Sequence, residues 1–189
     1  MKKIIILVTA VALSTVAFAQ TTWKVDKAHS RLTFTITHLA VSDVDGTFKD
    51  FDVTITAAKP DFSDAKIDLT IKTATVNTDN DQRDTHLKSG DFFDVANHPT
   101  LTFTSTGITP TSANHYKLTG NMTLNGVAKP VTMDLWYRGT ITNQGKEDAG
   151  FQVTGSFKRS DFGFGSKFGS PTLSDEVTIK ANGEFAKAK

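Results

Sequence analysis

The chain has 189 residues, with 21 basic and 20 acidic side chains, 5 histidines and no cysteine. The near-balance of charge gives no electrostatic basis for binding nucleic acid or an anionic membrane surface, and the lack of cysteine excludes a disulfide framework. Stability therefore has to come from a hydrophobic core, and a chain of this length suffices for one such core and is short for two.

The N-terminus has the features of an export signal. Lysines at positions 2 and 3 precede an apolar run at residues 4–16, and residues 17–19 have the A-x-A form of a cleavage site. The apolar run is shorter than the ~20 residues that a membrane-spanning helix needs. We predict a cleaved signal peptide over residues 1–19, a single mature domain over residues 20–189 without an integral membrane segment, and a periplasmic location.

Most of the remaining chain alternates between apolar and polar residues, the two-residue period of a β-strand. The alternation predicts about eight strands, centred on residues 32–38, 48–51, 67–71, 101–103, 116–124, 131–137, 151–157 and 177–179. The apolar positions change parity between Phe48 and Phe51, which predicts a bulge near Lys49 and Asp50. Asn125 and the glycine after it predict a two-residue hairpin.

One helix is predicted over residues 79–88, between the third and fourth strands, because acidic residues in its first turn suit the positive end of the helix dipole. Eight antiparallel strands can close into a barrel whose interior holds a small ligand. A two-sheet sandwich with a dry core would show the same alternation. The periodicity by itself leaves both folds open.

Phenylalanine is unusually frequent, with 14 residues against 2 tyrosines and 2 tryptophans. A phenyl ring offers an apolar wall without a polar group that needs a partner. The alternation and this composition predict a cavity lined by Phe34, Ile36, Phe48, Leu101, Phe103, Met122, Met133 and Phe157. The alternative is that these residues form an ordinary packed core.

The segment at residues 83–105 joins charged groups to an aromatic pair, a combination that suits the rim of a cavity. Arg83 and His86 are three positions apart and so lie on one side of the predicted helix. They are candidates for binding an ionic headgroup, with Phe92 beside them. The alternative is a network of Arg83 and Asp84 that braces the helix against the barrel.

Short motifs occur along the whole chain: W-K-V-D and H-S within residues 23–30, G-T-F-K-D-F at 46–51, R-D-T-H-L and D-F-F-D within 83–94, G-V-A-K-P-V at 126–131, R-S-D-F-G at 159–163 and L-S-D at 173–175. In this order they resemble the YceI-like family of secreted lipid-binding proteins, over residues 22–185. Val53 and Ala128 depart from the family pattern, which often has Gly and Thr there.

The resemblance implies an all-β fold, an antiparallel eight-stranded lipocalin-like β-barrel with one short helical insertion between strands 3 and 4. It implies a long-chain ligand of the polyisoprenoid class, such as a prenyl phosphate or a quinone. It also places His29, His38, Arg159 and Asp161 at the closure or mouth of the barrel, and His38 joins the predicted ligand-binding residues.

We therefore expect a periplasmic protein that carries or sequesters a long-chain amphiphile, with a homodimer as one possible state. No cofactor or metal ion is expected, and no enzyme activity, because the sequence lacks G-x-S-x-G, H-E-x-x-H and any cysteine. The alternative is a secreted adhesion or carbohydrate-binding β-module without a lipid cavity. Such modules display exposed Trp and Tyr rings, which are few here.

Overall fold

The computed structural model describes residues 19–188. The signal peptide predicted over residues 1–19 lies outside this range except for Ala19. Within the described range, no helix is long and apolar enough to cross a membrane.

The described residues form ten strands, one α-helix and two short 3-10 turns, at Thr73–Thr75 and Arg159–Phe162. The strands are β1 (Thr21–His38), β2 (Ser42–Phe48), β3 (Phe51–Ala57), β4 (Lys66–Lys72), β5 (Val76–Asn77), β6 (Thr100–Ser112), β7 (His115–Leu124), β8 (Val127–Asn143), β9 (Lys146–Lys158) and β10 (Leu173–Lys187); the helix is α1 (Asp81–Lys88).

Eight of these strands form a closed antiparallel ring. Their order is β1-β3-β4-β6-β7-β8-β9-β10, and β10 pairs back onto β1. Closure into one ring confirms the predicted barrel and excludes the two-sheet sandwich. The helix α1 follows β4 and precedes β6, so it lies between the third and fourth strands of the ring, as predicted.

The two other strands exist because β1 changes its neighbour along its length. Residues 21–24 pair with β3, residues 33–38 pair with β2, and β2 in turn pairs with the short β5. The predicted bulge near Lys49 and Asp50 is wrong. These residues form a bend between β2 and β3, where the backbone N–H groups of both donate to Thr75, to its carbonyl and its Oγ1 respectively. The parity changes because one strand ends and another begins.

A true bulge lies in β1 instead. Asp26 is opposite Glu184 and Arg31 is opposite Asn182, so residues 27–30 of β1 face Gly183 alone. This insertion changes which positions of β1 point inward. Before the bulge the inward residues have odd numbers, such as Val25, and after it they have even numbers, such as Leu32. The bulge is attached to β10 through Ser30, whose Oγ accepts from the backbone N–H of Glu184 at 3.0 Å.

One end of the barrel is closed by an aromatic plug, defined as Trp23, Phe62, Tyr137, Phe151 and Phe185. Phe62 comes from the loop between β3 and β4 and is 2 % exposed. The centroid of its ring lies 5.4 Å from that of Trp23, 4.8 Å from Tyr137 and 4.9 Å from Phe151. Such tilted and edge-to-face contacts add to the hydrophobic stabilisation of the buried rings, which close this end of the barrel.

The helix α1 lies at the other end. Asn80 caps it, since its side-chain oxygen accepts from the backbone N–H of Arg83 at 2.9 Å, and Asp81 in the first turn complements the helix dipole. Asp84 is buried and accepts from both the backbone N–H and the hydroxyl of Thr78, at 2.9 and 2.6 Å. These contacts fix the helix to the segment that leaves β5.

Candidate functional site

A cavity of about 420 Å³ lies inside the barrel, between the plug and the helix end. Its volume is within the ~300–1,000 Å³ of small-molecule sites. The inward faces of the strands supply an almost entirely apolar wall. All the residues predicted to bind a ligand lie on that wall: Phe34, Ile36, His38, Phe48, Arg83, His86, Phe92, Leu101, Phe103, Met122, Met133 and Phe157. Their contact with a ligand stays a prediction.

Two aromatic rings of the wall extend over a glycine of the neighbouring strand. A Cβ atom at Gly46 would lie 2.2 Å from Cζ of Phe34, and one at Gly120 would lie 2.3 Å from Cζ of Phe103. Both positions therefore require glycine for the close approach of a ring. Rings that lie against the backbone leave the centre of the barrel open.

The inward apolar side chains fall into two groups. Leu118 and Leu135 are 2 % exposed. Phe34, Phe157 and Ile179 are half-buried. All five line the cavity, so its wall combines fully buried side chains with partly accessible ones.

Arg83 lies at the rim of the cavity. Its Nε donates to Oγ1 of Thr78 at 2.7 Å and its Nη2 donates to the Thr78 carbonyl at 2.8 Å. Asp84 binds the same threonine, so the bracing network that the sequence suggested runs through Thr78. Arg83 is nevertheless exposed and also lines the cavity, so its guanidinium is accessible to a ligand headgroup at the rim.

Two loops meet over the helix end of the barrel and form a lid, defined as residues 89–99 and 163–172. Phe92 of the first loop stacks on Phe168 of the second, with ring centroids 5.1 Å apart and planes 7° apart. Asp91 joins the loops through an ion pair with Nζ of Lys167 at 2.5 Å, and its other oxygen lies 3.3 Å from Nε2 of His86. The hydrogen bond from Lys167, followed by that from His86, lowers the pKa of Asp91 below its usual 3.8.

Aromatic contacts continue from the lid to the cavity wall. The ring centroids of Phe164 and Phe93 are 4.7 Å apart, those of Phe93 and Phe48 are 5.5 Å apart, and those of Phe48 and Phe34 are 5.7 Å apart. The lid is therefore apolar on its inner side and charged on its outer side.

Arg159 shapes the second loop of the lid. It is 5 % exposed, and its guanidinium donates only to backbone carbonyls, those of Phe164, Gly165, Phe168, Leu173 and Ser174. These hydrogen bonds hold the loop and the start of β10 in place, so the role of Arg159 at the mouth is architectural. Asp161 is exposed in the adjacent 3-10 turn and lies off the cavity wall.

His29 lies on the outer face of the barrel, in the β1 bulge. Asp26 and Glu184 are directly opposite each other in the strand register, an arrangement that is destabilising for like charges. Nδ1 of His29 lies 2.9 Å from Oδ2 of Asp26, and this hydrogen bond, followed by the nearby carboxylates of Asp26 and Glu184, raises the pKa of His29 above 6.5. The raised pKa favours a protonated His29, which offsets the repulsion between the two carboxylates.

Other wall residues were not predicted from the sequence. Those on strands include Val53, Ile55, Leu69, Val153 and Ile179; the last three belong to the predicted alternating sets, and extending the alternation would have found the first two. Those of the lid and helix include Leu87, Phe93, Phe164 and Phe168. Loops have no periodicity, so only the local abundance of phenylalanine pointed to the lid.

A closed eight-stranded antiparallel barrel around an apolar cavity defines a lipocalin-like barrel. The model of the YceI-like domain family matches residues 23–185, and the chain belongs to this family. The match confirms the resemblance that the motifs suggested.

Known proteins agree with this assignment. Protein YceI of Salmonella newport is 39 % identical over 164 residues, which cover 85 % of each chain. The crystal structure of the Campylobacter jejuni YCEI protein is 38 % identical, with a TM-score of 0.74 over 81 % of this chain and 90 % of that one. A polyisoprenoid binding domain from Saccharophagus degradans shares the fold at 15 % identity, with a TM-score of 0.68 over 88 % and 98 % of the two chains.

Proposed function

We propose that this protein is a periplasmic carrier or sequestering protein that binds one long-chain amphiphile, a polyisoprenoid such as a prenyl phosphate or a quinone. The observation that carries the proposal is the apolar cavity of about 420 Å³ inside the barrel. Its mechanism is solvation, because the barrel gives a water-insoluble chain an apolar enclosure in an aqueous compartment. The protein acts by binding, and the proposal includes no chemical step.

Burial of the chain supplies the affinity. Each CH₂ group that leaves water contributes about 0.8 kcal/mol, so a long chain binds tightly without any polar contact. The rings of Phe34 and Phe103, which lie over glycines, provide apolar contact area on the cavity wall. The name of the Saccharophagus degradans relative, a polyisoprenoid binding domain, supports the polyisoprenoid class.

The two ends of the barrel set the direction of the ligand. The plug at one end offers only buried rings, whereas the rim at the other end carries the exposed side chains of Arg83 and His86. A charged headgroup keeps its hydration only at this rim, and a guanidinium binds phosphate oxygens well. We therefore place the headgroup beside α1 and the chain in the barrel.

The carbohydrate-binding alternative needs an exposed aromatic platform. Trp23, Tyr116 and Tyr137 are at most 9 % exposed. Trp136 is half-buried, its ring stacks on His115 at 5.5 Å, and the guanidinium of Arg138 lies 4.7 Å from its centroid. These covered rings disfavour a sugar-binding face.

The proposal is tested by mass spectrometry of an organic extract of protein purified from the periplasm without detergent. We expect a stoichiometric polyisoprenoid from the wild type and at least about a tenfold smaller yield from Ala181→Phe, because the new ring occupies the space of several CH₂ groups. Ala181 lines the cavity on β10. Thr178→Phe is the matched control, since it adds the same ring to an exposed position of the same strand.

An extract without any long-chain species, together with failure to take up a prenyl alcohol or fatty acid, would contradict lipid binding. Equal yields from Ala181→Phe and the wild type would place the ligand outside the barrel. Recovery of the protein in the spheroplast fraction would contradict the periplasmic location. Light scattering of the purified protein tests the homodimer, which stays a prediction.

A further inference from the structure

Three large hydrophobic side chains are exposed within residues 19–188: Leu39 at 51 %, Val41 at 82 % and Ile141 at 66 %. Two of them flank Ala40 in the turn between β1 and β2. We call Leu39, Ala40 and Val41 the apolar tip. Ile141 lies near the opposite end of the barrel, on β8 beyond the plug residue Tyr137.

The apolar tip adjoins the mouth of the cavity. The backbone N–H of Leu39 donates to the carbonyl of Thr172 at 3.1 Å, and that of Val41 donates to the carbonyl of His38 at 3.2 Å. Thr172 and His38 both line the cavity. The tip therefore lies directly beside the mouth of the cavity.

The sequence of the tip is unfavourable for the folded chain in water. Leu39 and Ala40 have φ angles of 53° and 56°, in the left-handed region where Gly, Asn and Asp are the usual residues. Backbone strain in non-glycine residues tends to persist at functional sites. Leu39 is therefore unfavourable both for the backbone conformation of the turn and for contact with water, so a role other than folding has to explain a leucine here.

We propose that the apolar tip docks the protein on a lipid bilayer by inserting into the interface, so that the mouth of the cavity faces the membrane from which the amphiphile is taken or to which it is delivered. The inference rests on the proposed function, since an amphiphile that is insoluble in water has to enter or leave a bilayer. The position of the tip beside the mouth of the cavity identifies this occupant.

Insertion is driven by apolar burial rather than by charge. The exposed residues near the mouth carry charges of both signs, since Asp43 and Asp45 follow the tip on β2 and Arg83 lies at the rim. Docking should therefore be as strong on neutral as on anionic vesicles and should change little with salt, unlike the binding of a basic patch.

A label on the tip detects docking directly. The chain has no cysteine, so Ala40→Cys and Ile141→Cys each give the full mature protein a single site for the fluorophore nitrobenzoxadiazole. With phosphatidylcholine vesicles, the label at position 40 should gain intensity and shift to the blue, and the label at position 141 should do neither. No response at position 40, or an equal response at both positions, would overturn the proposal.

A second experiment measures transfer of the fluorescent fatty acid cis-parinaric acid. The double variant Leu39→Asn and Val41→Asn should slow uptake from phosphatidylcholine vesicles by about tenfold or more, since two aliphatic anchors are lost. Asparagine tolerates the left-handed region, so the variant should fold at least as stably as the wild type. Ile141→Asn is the matched control and should transfer at the wild-type rate.

Uptake of cis-parinaric acid from a cyclodextrin complex, without membranes, separates this proposal from the proposed function. The double variant should bind as well as the wild type from cyclodextrin. Equal rates of uptake from vesicles in both proteins would overturn docking and leave lipid binding intact. If the wild type took up nothing from cyclodextrin, lipid binding would be wrong, and the label at position 40 would still decide whether the tip docks.

Discussion

The two ends of the barrel are closed in different ways. At the plug end, Phe62 is 2 % exposed and packs against other buried rings. At the helix end, the lid is joined by the stacked rings of Phe92 and Phe168 and by the half-exposed Asp91 with its partner Lys167. One end therefore provides stability through the packing of buried rings, whereas the other uses contacts that water can replace, which suits the exchange of a ligand.

The largest effect should come from the plug. Phe62→Ala should lower the free energy of unfolding by about 3–5 kcal/mol, because it removes a ring from tight packing and leaves a cavity. Chemical denaturation measures the loss. Phe168→Ala in the lid is the control, and its half-buried ring should cost clearly less. A loss at the lid as large as that at the plug would mean that the two ends contribute equally to stability.

Arg159 should be the exception at the helix end. Arg159→Leu should lower the free energy of unfolding by about 2–3 kcal/mol, because it leaves buried carbonyls without their charged donor. Arg83→Ala, measured in the same way, should cost about 1 kcal/mol or less, since Arg83 is exposed, and should instead weaken the preference for phosphorylated over neutral prenyl lipids. Equal losses of stability would assign both arginines a purely architectural role.

The smallest effect should come from the ion pair across the lid. Asp91→Asn should leave stability nearly unchanged and speed ligand release by roughly twofold to fivefold, the range expected from losing an exposed ion pair. Stopped-flow displacement of cis-parinaric acid measures the rate. Lys117→Gln removes the partner of Asp134 elsewhere on the surface and should leave the rate as it is.

The same contact predicts a pH dependence. The pKa of Asp91 is lowered from 3.8, so the contact is fully present above that pH and is lost as the pH falls through the lowered value. The contribution of Asp91 to the rate of ligand release from the wild type should therefore be constant from pH 7 to pH 4. Below pH 4, loss of the contact should make release faster. The Asp91→Asn variant should lack the acceleration that Asp91 causes.

Most of the ring of strands was predictable from the sequence. Residues such as Leu32 and Phe103 alternate with polar neighbours, because each strand has one wet face and one face in the interior. The N-terminal part of β1 was not predicted, since the bulge at residues 27–30 breaks its periodicity. The strand β5 was missed because Val76–Asn77 is too short for a period, and only tertiary pairing with β2 makes it a strand.

The site was predictable where it lies on strands and at Arg83, His86 and Phe92, but not over the rest of the lid. The lid depends on contacts between loops far apart in sequence, such as that of Asp91 with Lys167. The partners of Arg159 are backbone carbonyls, which every residue has, so no side-chain pattern could reveal them. The placement of the plug residue Phe62 likewise follows from a loop that folds into the barrel end.

The ring closes by joining the first described strand to the last, with Trp23 opposite Lys187 and Leu32 opposite Ala181. Contacts this distant in sequence carry a large loop-closure entropy and slow folding. A nascent chain that still lacks β10 has no partner for that edge of β1, so its inward side chains stay open to water. Synthesis of β10 thus sets the time at which the barrel can close, and a chain truncated before β10 forms no enclosed cavity.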